Sequence, residues 1–158
     1  NCPNNLTYNG YTYPIIKIND KCWLAENLRT IKTNDGENID NLVDPDDWTH
    51  SYSKNKMACS WYQNNDQSYA AFGLLYNKIA VDSGKLCPKN WHIPKGSEVN
   101  EMVNYLRSSN VYWCGGSSTN IAKSLSSVGE WNLSSTACNP GKRAFCIQIR
   151  KRFQRKIC

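Results

Sequence analysis

Eight cysteines spread along a chain of 158 residues, no two of them forming a Cys-x-x-Cys pair, constrain this sequence more than any other feature. They stand at Cys2, Cys22, Cys59, Cys87, Cys114, Cys138, Cys146 and Cys158. Zinc ribbons and thioredoxin-type redox motifs need closely spaced thiol pairs, so the spacing argues against both. His92 follows Cys87 by five residues, and no second pair completes a tetrahedral set. At roughly 5%, cysteine usage is above ordinary levels but below that of disulfide mini-proteins. Scattered thiols in a chain with 6 Trp and 9 Tyr fit disulfides made in an oxidising compartment. The chain is therefore read as exported, either secreted or held at the cell surface.

A chain of this length can bury roughly 70% of its unfolded surface, so one core is expected. No run of 18 apolar residues is present, and no membrane span is predicted. The opening Asn1-Cys2-Pro3, with no Met and no apolar leader, reads as a mature or trimmed start. The formal charge of +6 is unevenly distributed. Residues 141–158 carry seven basic groups (Lys142, Arg143, Arg150, Lys151, Arg152, Arg155, Lys156) and no acid, leaving 12 basic and 13 acidic groups before them. A nucleic-acid surface would interleave its basic residues with aromatics over a folded face. A terminal concentration reads instead as a solvated basic tail, so no nucleic-acid partner is expected. The chain divides into a domain over 1–140 and a tail over 141–158, strand-like or disordered.

Residues 6–24 read as three strands joined by tight turns at Asn9-Gly10 and Asn19-Asp20. Pro14 lacks a ladder donor and predicts an edge strand or a bulge. Residues 34–55 are polar and rich in turn formers. Their Asp44-Pro45-Asp46-Asp47 group could supply oxygen ligands to Ca²⁺, but it lacks EF-hand spacing, and a solvated loop is favoured. From a cap at Asp66 or Ser68, the apolar residues Tyr69, Phe72, Leu75, Tyr76, Ile79 and Ala80 recur at helical spacing. A second helix is expected over 97–106, with Val99, Met102, Val103 and Leu106 on one face, and a shorter third after Thr119. Strands first and helices later predict an α+β fold with a mixed or antiparallel sheet and two to three helices.

No nucleotide loop, nucleophile elbow or His-Glu-x-x-His motif occurs, and His50 and His92 are the only imidazoles. His92 lies between Trp91 and Ile93-Pro94, which predicts a core or half-buried ring with one hydrogen-bonded nitrogen. Paired carboxylates of the glycosidase kind can be recognised only in space. Trp61-Tyr62 followed by Gln63-Asn64-Asn65-Asp66 sets flat apolar faces beside amides and a carboxylate, a mixture used to hold sugars and peptides. Trp61, Tyr62, Asn64 and Asp66 are the candidate contacts. The plainer alternative packs the two aromatics inside and uses the polar residues as a turn and helix cap.

Three segments in order resemble one family, the Fibrobacter succinogenes major paralogous domain of exported proteins in Bacteroidetes and Fibrobacteres. IKINDKCWLAENLRT, residues 16–30, is similar to its opening strand and Cys-Trp-x-x-x-Asn-Leu signature. CSWYQNNDQSYAAFGLLYNKIAV, residues 59–81, resembles its Trp-Tyr-x-Asn-Asp stretch and Tyr-Gly-x-Leu-Tyr-Asn segment. GKLCPKNWHIP, residues 84–94, is similar to its Cys-Pro-x-Gly-Trp-His-Val-Pro. Phe72 stands for a Tyr, Lys78 for a Trp, Asn90 for a Gly, and Val99 where a Trp is common. The likeness covers about residues 6–140. It implies a C-type-lectin-like fold, shared with formylglycine-generating enzymes, and a bacterial surface or periplasmic location. It also implies a Gly- and Trp-rich second half, which this sequence lacks, so an incomplete domain is expected. In that pattern Cys87 would pair with a terminal Cys.

For the disulfides, Cys2 with Cys22 across the opening strands and Cys114 with Cys138 around the third helix are expected. Cys59, Cys87, Cys146 and Cys158 have no assignable partners. The function expected is a non-enzymatic, lectin-like binding module for a carbohydrate or surface protein ligand, with no cofactor. An enzyme related to formylglycine generation and a purely structural surface protein are the alternatives.

Overall fold

Two tight turns organise the first 24 residues of the computed structural model, which describes residues 1–65 and 70–108. Asn9 and Gly10 both take left-handed φ values, +46° and +83°, as a two-residue hairpin turn requires. They join β1 (Asn5–Tyr8) to β2 (Tyr11–Ile18), antiparallel, with Tyr8 opposite Tyr11. Asn19, at φ +54°, opens the second turn into β3 (Lys21–Leu24). Cys2 and Cys22 are joined by a disulfide, their Cα atoms 5.6 Å apart.

Pro14 lies inside the middle strand of this sheet, not at the expected edge. The strand tolerates it because β2 changes partner there. Residues up to Pro14 pair with β1, and from Ile15 onward they pair with β3. The missing N–H therefore falls at the handover, while the Pro14 carbonyl still accepts from the Ala25 N–H at 2.8 Å.

A second sheet orders β4 (Asp40–Asn41), β5 (Ala58–Trp61) and β6 (Leu74–Tyr76), with β4 parallel and β6 antiparallel to β5. Before β5, the expected polar loop contains a helix, α1 (Pro45–Ser53). Asp44 caps it, its carboxylate accepting from the N–H groups of Asp46 at 2.8 Å and Asp47 at 3.2 Å. Pro45 fits the first turn because no helical partner is needed for its nitrogen, and Asp46 and Asp47 face the positive end of the dipole. The acidic group considered for Ca²⁺ is thus a helix start.

The helix expected over 69–80 does not form. Ala70–Phe72 is a single 3-10 turn, Gly73 reverses the backbone at φ +68°, and Leu74–Tyr76 is a strand. Strand pairing overrides the helical spacing, since Trp61 opposes Leu74 and Cys59 opposes Tyr76. Leu74 is buried and Leu75 exposed, the alternation of a strand. A short helix, α2 (Lys78–Asp82), follows, capped by Asn77, whose Oδ1 accepts from the Ala80 N–H at 2.9 Å. The expected caps Asp66 and Ser68 lie outside the described residues. The helix expected over 97–106 is present as α3 (Gly96–Ser108), with Met102 and Leu106 buried. The third expected helix, the Cys114 and Cys138 pairing and the basic tail all lie outside the described residues.

The apolar residues gather in two clusters on opposite faces of the first sheet. Tyr13, Leu24, Leu28, Ile39, Cys59, Leu74 and Leu86 pack between the sheets. Ile16, Ile18 and Ala25 pack against Met102 and Leu106 of α3. The fold is α+β, with a small antiparallel sheet and a small mixed one in place of a single larger sheet.

Candidate functional site

The aromatic-amide group chosen from the sequence sits at the end of β5, where the strand turns into a 3-10 segment, Tyr62–Asn64. Trp61 is half-buried against the core between the sheets. Tyr62 meets Phe72 edge to face, ring centres 6.1 Å apart. Asn64, at φ +53°, is exposed but bonds other groups of the protein through both ends of its amide. Its Oδ1 accepts from the Ser60 hydroxyl at 2.8 Å and its Nδ2 donates to the Val43 carbonyl at 2.9 Å. Trp61, Tyr62 and Asn64 therefore lie together and brace the turn. Asp66 lies outside the described residues.

A cleft of about 350 Å³ opens on another part of the molecule, lined by Lys21, Cys22, Trp23 and Leu24 of β3 and by Asn90, Trp91, His92, Pro94 and Glu98. Its two sides come from segments nearly 70 residues apart in sequence, which is why no local motif announced it. Trp23 also packs against the cluster under α3, and Trp91 against the cluster between the sheets, so each indole is anchored from behind. The Trp23 Nε1 is buried and has no hydrogen-bond partner among the described residues. A buried donor left without a partner costs stability, and the Arg29 Nε, away from the cleft, is in the same state.

The segment before α3 holds the other side. Trp91 N–H donates to the Pro88 carbonyl at 2.9 Å, and Asn90 within that turn has φ +69°. That backbone state explains why an Asn can replace the Gly of the family pattern, since these are the two residues that tolerate it best. His92 is exposed, contrary to the expected half-buried ring. Its neighbours Trp91 and Ile93 turn toward the core, and in an extended segment the residue between them turns outward. One ring nitrogen is bonded, as expected: Nε2 lies 2.9 Å from Glu98 Oε2.

Glu98 is also the third residue of α3 and reaches back to the Lys95 N–H at 2.9 Å, one half of a capping box. That backbone bond first, and the His92 ring second, hold its carboxyl below the usual range, so it is an anion at neutral pH. Lys21 crosses from β3 to Glu101 of α3 at 2.7 Å, and this contact raises its pKa. The ionisable side chains lining the cleft are thus paired: Lys21 with Glu101, His92 with Glu98.

Of the remaining chemistry, Cys59 is a free thiol with no exposed surface, and burial pushes it up to about 12. Cys87, which had no partner assignable from the residues, is disulfide-bonded. Among the described residues, no three His, Cys, Asp or Glu side chains converge as a metal site, and no helix is long and apolar enough to cross a membrane.

Searches of curated proteins and of solved structures return no match to this chain. The model of the Fibrobacter succinogenes major domain matches residues 16–141, a span that takes in β3, the cleft and all three quoted segments. The chain belongs to the Fibrobacter succinogenes major domain family.

Proposed function

We propose that this protein is a lectin-like binding module of the cell exterior, taking a carbohydrate or protein ligand in the Trp23–Trp91 cleft without catalysing a reaction. The observation that carries the reading is the cleft itself, where two backed indoles meet amide, imidazole and carboxylate groups supplied by separate elements. Rigid aromatic walls with a few polar groups are the composition of a recognition site. The disulfide between Cys2 and Cys22 supports an oxidising location.

Support for a binding role over an enzymatic one comes from the reactive groups. A nucleophilic thiol needs a lowered pKa and access, whereas Cys59 is buried and pushed upward. The imidazole in the cleft faces a carboxylate and no hydroxyl or thiol within hydrogen-bond reach among the described residues.

A glycan array and a set of candidate surface proteins, followed by calorimetry, test the proposal. The expected result is saturable binding of at least one ligand, weakened at least tenfold by Trp23→Ala with no loss of circular-dichroism signal. Turnover of a bound ligand, or concentration-dependent self-assembly in scattering with no saturable ligand, would favour the enzymatic or the structural alternative.

A further inference from the structure

We infer that the ligand of this cleft is an uncharged sugar unit, read by the side-chain amide of Asn90 while the ring lies against the indoles of Trp23 and Trp91. The inference rests on the binding-module reading and adds the ligand's chemical class and the residue that selects it.

Three observations carry it. The first is size. About 350 Å³ lies near the lower end of the roughly 300–1,000 Å³ typical of small-ligand sites, enough for one or two sugar rings but not for an extended chain. A peptide added as a strand would need the edge of β3, which is four residues long and already flanked across the cleft by the 90–94 segment. The second is charge. Lys21 is paired with Glu101 at 2.7 Å, and the Glu98 carboxylate faces the cleft, held by the Lys95 N–H and the His92 ring at 2.9 Å, so the lysine lining the cleft is already engaged and an anionic group is already present. A phosphate, sulfate or carboxylate group entering here would break one of these pairs and find no compensating partner. An acidic ligand is selected against by the same contacts that hold β3 and the 90–94 segment to α3.

The third observation is Asn90. It is exposed at the cleft, fixed at φ +69° in the turn closed by the Trp91–Pro88 hydrogen bond, and its side-chain amide has no partner among the described residues. Asn64 and Asn77, by contrast, have their amides committed to internal bonds. A primary amide offers one acceptor and two donors in a plane, which matches two neighbouring hydroxyls on a ring, each both donor and acceptor. The axial faces of the ring carry C–H groups that suit an indole surface, so the aromatic walls and the amide address different sides of one ligand.

The test compares neutral and acidic forms of one sugar on the full chain: glucose with glucuronic acid, and N-acetylglucosamine and β-linked glucose disaccharides beside them. Intrinsic tryptophan fluorescence and calorimetry read the binding. Saturable binding of a neutral member is expected, at least tenfold tighter than its acidic counterpart and at least fivefold weaker in Asn90→Gly. Glycine accepts the same φ, so the fold survives while the amide is lost, and hydrogen–deuterium exchange of β3 and α3 confirms that. Tighter binding of glucuronic acid, unchanged affinity in Asn90→Gly, or saturable binding only of a peptide or protein overturns the inference while leaving a binding module in place. Absence of any saturable ligand in the wider array overturns both.

Discussion

Gly73 shows how one residue can decide a segment. Its φ of +68° is open to glycine and costly for others, and a Cβ there would lie 2.7 Å from both Asn27 Cβ and the Leu28 carbonyl oxygen. The adjacent Leu74 N–H donates to that same Leu28 carbonyl at 2.9 Å, so the backbone cannot back away. Gly73→Ala is expected to cost about 3 kcal/mol in urea unfolding, whereas Gly10→Ala, with φ +83° but open space around it, should cost about 1 kcal/mol. Equal losses at the two sites would refute the close-approach argument. Asn77 is the polar counterpart. It is buried, its Oδ1 accepts from Ala58 and Ala80 N–H groups, and its Nδ2 donates to the Ser51 hydroxyl and the Lys56 carbonyl, tying α1, β5 and α2 together. Two buried or half-buried strand tyrosines also use their hydroxyls. Tyr13 accepts from Arg29 N–H at 3.0 Å and Tyr76 donates to the Thr30 carbonyl at 2.7 Å, pinning the 26–33 segment beside the core. Burial raises the Tyr76 phenol pKa, so the donor stays protonated.

At the scale of the element, local chemistry was readable wherever it was sufficient. The Asn-Gly turn, the three strands around it and α3 follow directly from turn residues and periodicity. The start of α1 was equally visible as Asp-Pro-Asp-Asp, a cap followed by a first-turn proline. The acids serve there as cap and first-turn residues and not as ligands or a loop. Asp44→Ala should remove two cap bonds and lower stability by about 1 kcal/mol in urea titration, with Asp44→Ser recovering most of the loss. A loss below about 0.3 kcal/mol would mean that packing alone holds α1. The 69–80 stretch failed for the opposite reason. Its apolar spacing suits a helix, but β5 offers β6 a pairing surface that no local window contains. The isolated Gly in that pattern was the one local sign of interruption.

At the scale of the molecule, the disulfide between Cys2 and Cys22 closes a separation of 20 residues around the whole first sheet. In the chain-entropy account such a closure contributes about 3 kcal/mol, and Cys2→Ser with Cys22→Ser should lower stability by that order while leaving the Cys87 bond intact. A change under about 1 kcal/mol would place the stabilisation in the two apolar clusters alone. The sequence by itself determined the α+β class, the opening three-stranded sheet, α3 and the family, because each depends on neighbours in the chain or on a residue order that survives without coordinates. The tertiary structure alone decided β6, the bonding of Asn64 to Ser60 and Val43, the outward turn of His92 and the cleft between Trp23 and Trp91. Those depend on segments distant in sequence meeting across a packed core, and no local pattern of residues encodes which of them will meet.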